Sequence, residues 1–236
     1  WFERFFTAPN CVRMIKNTVL LSLYSLLWSF PIPIILSLCI NQLRFAKFKR
    51  VVQTVLYAPH FISTMVICGM IKIFLSPSGG LLNLILGTSV DFLSESTAFR
   101  TIYVASGIWQ EAGWGPIIYM ACLAAVDTSL YEAAKIDGCN ESQTTRYIVL
   151  PLMRASFTIC MFLTITRCFM IYDVNLSLTE GGPYGSTVMA AMYVYQKAFS
   201  AKQYGVGQTE AIILFIFTAV IAVSQTIINK RKEVEA

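Results

Sequence analysis

The sequence predicts an all-α fold, a polytopic bundle of transmembrane helices, on three observations. Hydrophobic residues make up 56% of the chain and charged residues only 13%, with a mean hydropathy of +0.62. A soluble domain carries nearer a quarter of charged residues. Five apolar stretches, at about 17–40, 53–74, 102–126, 152–172 and 209–228, are each long enough to cross a hydrocarbon core of roughly 30 Å as a helix of about 20 residues. Lysine and arginine gather in alternate connections between these stretches, the charge asymmetry of a multi-pass protein. Hydrocarbon offers no water to backbone N–H and C=O groups, so a spanning segment must satisfy them internally, which excludes an open sheet. No repeat, low-complexity tract or Pro/Gly/Ser-rich linker divides the chain, so 1–236 reads as one transmembrane domain with a core at about 17–230.

Each element follows in order. At the start, Trp1, Phe2, Phe5 and Phe6 stand beside Glu3 and Arg4, which suits an interfacial segment or a plain spacer. No charged leader followed by an apolar core is visible there, so no signal peptide is expected. Pro31 and Pro33 interrupt the first span and Pro59 the second, because proline removes a helix donor and frees carbonyls. Arg44, Lys47, Lys49 and Arg50 follow the first span, Lys135 and Arg146 lie between the third and fourth, and Lys230, Arg231 and Lys232 follow the last. The positive-inside rule makes these three segments, and the C-terminus, cytoplasmic. The connections at 75–101 and 173–208, with Asp91, Glu95, Asp173 and Glu180, are then external. The net charge of +5 needs no nucleic-acid partner, since basic cytoplasmic loops account for it.

Seven cysteines are scattered with no CxxC spacing, so neither a disulfide framework nor a metal site is expected, and the lone His60 has no ligand partner near it in sequence. No nucleotide-binding glycine loop, HExxH or GxSxG elbow occurs. The chain is therefore expected to be a non-enzyme whose energy, if it does work, comes from a partner. Charged residues within the spans point to a polar path: Glu111 and Arg167 would each cost about 2.5–3.5 kcal/mol facing lipid on insertion scales. Helical spacing puts Gly107, Glu111 and Trp114 on one face, and Thr164, Arg167, Cys168 and Ile171 on another. Converging, they would offer an aromatic ring and hydrogen-bonding groups to a sugar. A structural Glu111–Arg167 ion pair is the alternative.

The most informative stretch is 132–151, EAAKIDGCNESQTTRYIVLP, a polar helix-turn-helix between apolar spans. Glu132, Ala133 and Ala134 lie in a helix-forming run, Tyr131 to Ile136, in which the two alanines offer a smooth face to a partner. Asp137-Gly138 punctuates that run, since glycine tolerates the positive φ of a reversal. A second short helix can start near Glu141, and Leu150-Pro151 leads into the next span, with the proline suited to a first turn.

This spaced pattern resembles the EAA coupling loop of binding-protein-dependent ABC importer permeases. A second set, Tyr172-Asp173, Leu178 to Pro183, Thr187, Tyr193-Val194-Tyr195 and Ala198-Phe199, resembles the carbohydrate permeases of the maltose-permease type. Cys139 and Thr145 depart from the pattern, standing where alanine and an aromatic residue are usual. The resemblance implies a type I ABC importer transmembrane domain, six or more spans in the whole protein and a chain incomplete at its N-terminus. It implies a permease subunit moving an oligosaccharide or related sugar inward across the plasma (inner) membrane of a prokaryote. The implied partners are a second homologous permease, an extracellular solute-binding protein, the lipid bilayer, and cytoplasmic ATPase subunits that bind ATP and Mg and grip the loop at Glu132, Ala133, Ala134, Asp137, Gly138, Leu150 and Pro151. It also implies that the residues named above on the two spans line the translocation path. Rival readings are a permease for glycerol-phosphate or another small polar solute, an ion-gradient-driven secondary transporter, and a membrane scaffold.

Overall fold

The structure is a computed structural model, and it describes residues 1–43, 45–179 and 188–234. Those residues form helices joined by turns, with no strand among them. In chain order they are α1 (Phe2–Phe6), α2 (Cys11–Ser29), α3 (Pro31–Asn41), α4 (Ala46–Tyr57), α5 (Thr64–Phe74), α6 (Leu81–Leu86), α7 (Ser96–Glu111), α8 (Pro116–Ala124), α9 (Thr128–Ile136), α10 (Glu141–Thr144), α11 (Leu150–Leu152), α12 (Arg154–Met170), α13 (Asp173–Thr179), α14 (Ala190–Tyr195) and α15 (Tyr204–Val234). Three continuous helical stretches, Cys11–Asn41, Arg154–Thr179 and Tyr204–Ile228, are long and apolar enough to cross a membrane. Two bent pairs, Ala46–Phe61 with Thr64–Phe74 and Thr97–Ala124 with Thr128–Ile136, bring the number to five if each is one span.

Proline and glycine set the breaks. Pro31 starts α3 directly after α2, and Pro59 lies in a 3-10 turn, Ala58–Phe61, after α4. The predicted helix across Gly107, Glu111 and Trp114 does not persist: α7 ends at Glu111, and Trp114 lies in the turn before α8. The cause is tertiary. A Cβ on Gly113 would overlap the Leu56 carbonyl, and one on Gly115 would meet Pro33 Cγ at 2.8 Å, so the chain there presses backbone against neighbouring segments.

The chain folds into two compact units interleaved along the sequence. Unit one takes Trp1–Leu27, Ile62–Gly107 and Ile165–Ala236. Within it α2 turns Cys11, Met14, Thr18 and Leu21 inward at helical spacing. Two buried hydroxyls of α2 tie it to neighbouring segments: Thr18 Oγ1 accepts from the Ala190 N–H at 2.9 Å, and Ser22 Oγ donates to the Cys168 carbonyl at 3.0 Å. Phe5, Cys11 and Met14 form a cluster with Tyr193 and Ile213 around them. Unit two takes Trp28–Phe61 and Ile108–Thr164. Its core is Tyr119, Leu123, Val149, Met153 and Cys160, against which Ile34, Leu38, Tyr131 and Phe157 pack. This core carries the 132–151 segment.

Candidate functional site

The segment predicted as helix-turn-helix is built from local hydrogen bonds. Asp127 caps α9, its carboxylate accepting from the Ser129 N–H at 2.9 Å. That bond favours the charged form and holds the Asp127 carboxyl below its ordinary pKa. At the other end the Gly138 N–H donates to the Lys135 carbonyl (3.1 Å) and the Cys139 N–H to the Ala134 carbonyl (2.9 Å), with Gly138 at φ +77°. These are the paired bonds of a Schellman ending, which needs a left-handed residue where Gly138 stands. Asn140 then caps α10 with Gln143 in a reciprocal box, Oδ1 accepting from the Gln143 N–H at 2.8 Å and the Asn140 N–H donating to Gln143 Oε1 at 2.9 Å. A π-turn over Thr145–Val149 leads into α11, where Pro151 occupies the first turn. The α12 helix begins beyond it at Arg154.

The faces of α9 correct one sequence expectation. Ala134 is only 3% exposed and Tyr131 packs on the unit-two core, whereas Glu132, Ala133, Ile136, Asp137 and Gly138 face outward. The two alanines therefore do not share an outer face, because adjacent helical residues point about 100° apart. The outer surface is Glu132, Ala133 and Ile136, and Ile136 is 86% exposed, an apolar side chain offered outward on an otherwise polar segment.

A second constellation in unit two joins residues far apart in sequence. His60 stacks on Trp114 with ring centroids 4.3 Å apart and planes at 7°, and His60 Nδ1 lies 3.3 Å from Glu111 Oε2 without hydrogen-bond angles. The contact is an ion pair when the imidazole is protonated. His60 and Glu111 are about a quarter exposed and Trp114 is 48% exposed, so the cluster is accessible chiefly through its indole. Sequence reading singled out Glu111 and Trp114 but passed over His60, considered only as a metal ligand. The signal was Pro59 beside it, which marks a break that can aim a side chain out of helical register.

The remaining path residues are divided. Gly107 is half-buried in α7, in unit one. Thr164 in unit two spends its hydroxyl on the Cys160 carbonyl at 2.8 Å. In unit one Arg167 is exposed, whereas Cys168 is buried and holds the Ser22 hydroxyl through its carbonyl. Ile171 follows Met170, the last residue of α12, and its N–H still donates to the Arg167 carbonyl at 3.1 Å, within the continuous helical stretch Arg154–Thr179. Of the Gly-Gly-Pro segment, residues 180–187 lie outside the described residues.

Known proteins share this architecture. The chain is 39% identical over 168 residues to the polygalacturonan/rhamnogalacturonan transport system permease protein YteP of Bacillus subtilis (strain 168), covering 70% of this chain and 52% of that protein. It is 40% identical over 142 residues to the probable starch degradation products transport system permease protein AmyD of Thermoanaerobacterium thermosulfurigenes, covering 60% of this chain and 48% of that protein. The chain thus spans about half the length of these curated relatives. Among solved structures, one chain of a bacterial ABC transporter involved in the import of the acidic polysaccharide alginate superposes with a TM-score of 0.93 at 31% identity, over 98% of this chain and 82% of that one. The expected ABC-importer transmembrane fold is thereby found. Residues 12–234 match the family described as binding-protein-dependent transport system inner membrane component, and the chain belongs to that family.

Proposed function

We propose that this chain is a membrane-spanning permease subunit of an importer that carries an oligosaccharide inward, driven by ATP hydrolysis in partner subunits. The observation that carries the reading is the outer face of α9, where Glu132, Ala133 and the exposed Ile136 end at a Gly138 reversal. A short, doubly capped helix pair that presents Ile136 outward suits a protein that must push on it. Two cytoplasmic ATPases would bind ATP and Mg and grip this face here and on a second permease. Their closure moves the segment, and α11–α12 transmit the movement into the membrane as a rigid connection. Orientation follows from the basic residues, which put this segment and the C-terminal tail in the cytoplasm.

An oligosaccharide substrate is supported by the His60–Glu111–Trp114 cluster. An exposed indole stacks on the apolar face of a sugar ring, and a carboxylate beside it accepts from hydroxyls. The transporters named after polygalacturonan, starch products and alginate agree with that class. In unit one, Arg167, exposed in the last turn of α12, is by itself suited to donate to hydroxyls or to a substrate carboxylate.

Reconstitution decides between this and an ion-driven carrier. Vesicles holding the assembled complex are expected to take up oligosaccharide only with ATP and a loaded external binding protein. Uptake driven by an ion gradient without ATP would overturn the proposal.

A further inference from the structure

Within unit two an open groove of about 570 Å³ lies between the end of α3 and the stretch that runs from α10 to α11. Leu38 and Leu150 form its apolar walls, Gln42, Ser142 and Arg146 its polar rim, and Glu141 its one carboxylate. Along α3 the lining changes from Leu38 to Gln42 in one turn, a rise of about 6 Å. Leu38 belongs to the candidate span Cys11–Asn41, and Gln42 is the first residue after it. The groove therefore straddles the end of that candidate span.

Its surroundings are basic. The α4 helix packs on α3, buries none of its residues, and shows Phe48, Val51 and Val55 at helical spacing on an exposed face, with Lys47, Lys49 and Arg50 alongside. Among the described residues these three cations and Arg146 make no ion pair with a carboxylate. Arg146 lies over the Tyr147 ring at 5.8 Å, which leaves its donors available. Basic residues at the foot of a span, beside an exposed apolar stripe, attract anionic headgroups.

From this arrangement we infer that the groove is a binding site for one phospholipid with an anionic headgroup. The acyl chain lies along Leu38 and Leu150, and the phosphate takes hydrogen bonds from Arg146, Gln42 and Ser142. A soluble partner would fill only the polar end, because Leu38 sits within the span. A zwitterionic lipid satisfies the apolar wall equally but leaves the basic charges without a net counter-charge.

The test is native mass spectrometry on the purified transporter complex, equilibrated with equal amounts of phosphatidylglycerol and phosphatidylcholine. The complex is expected to retain phosphatidylglycerol in preference, and Arg146→Gln is expected to lower that preference about fivefold, the contribution of one basic residue at an anionic surface. Gln42→Trp keeps every charge but fills the groove, and it should remove the tightly held lipid of either kind. Raised salt should weaken retention in the wild type. Equal retention of the two lipids, or unchanged preference in Arg146→Gln, overturns the proposal. So does displacement by millimolar glycerol phosphate, which would make the ligand a free phosphate ester. Retention only after the ATPase subunits are stripped away would make the groove a docking site for that partner and equally overturn it.

Discussion

Gly138 is the residue on which the reversal between α9 and α10 turns, at φ +77°. A residue with a Cβ held in that left-handed region costs about 1–2 kcal/mol, and a β-branched one more. Gly138→Val is expected to insert into the membrane but to lose ATP-coupled uptake, while Gly138→Asn, which tolerates that conformation, should keep most of it. Wild-type uptake by Gly138→Val in reconstituted vesicles would remove this turn from the coupling path. A second residue prediction concerns the open indole. Trp114→Ala should fold and raise the half-saturating substrate concentration about fivefold, the worth of about 1 kcal/mol of aromatic contact. Unchanged uptake kinetics would assign the His60–Trp114 stack to packing alone. Arg167→Met, which keeps length and removes charge, is likewise expected to fold and to transport poorly.

At the scale of the element, some boundaries were legible in full and others only in part. The ends of α9 and α10 were readable because their causes are local: Gly138 at the reversal, then an Asn140–Gln143 box within four residues. Asn140→Ala should cost about 1 kcal/mol of local helix stability. Hydrogen exchange should then quicken across 141–145 and leave the rest of unit two unchanged; no change there would show that the π-turn, not the cap, holds α10. The break after Glu111 carries a local signal in Gly113, Gly115 and Pro116, but its tight packing does not show in the sequence. The glycines there answer to Leu56 and Pro33 in other helices. Gly113→Ala is therefore expected to destabilise unit two by about 1–3 kcal/mol, the usual cost of overpacking, seen as a lower melting temperature of the purified complex.

At the scale of the whole molecule, the orientation is testable without knowing the substrate. In a background with all seven cysteines replaced, a single cysteine at Asp91 should react with an impermeant reagent from outside, and one at Glu141 only from the cytoplasmic side. The reversed pattern would place α9 on the external face and exclude an ATP-driven role for it.

The sequence by itself determined that the protein is helical and lives in a membrane, and where its polar helix-turn-helix lies. Those properties depend on composition and on spacings within a dozen or so residues, and hydrocarbon leaves no alternative way to satisfy a spanning backbone. Tertiary structure alone decided which residues meet. It set His60 between Glu111 and Trp114, turned Ala134 inward while Ile136 faced out, and brought Leu38 and Gln42 beside Ser142 and Arg146. Such juxtapositions join segments distant in the chain. They arise from close packing around a shared core, which helical periodicity along any one segment does not encode.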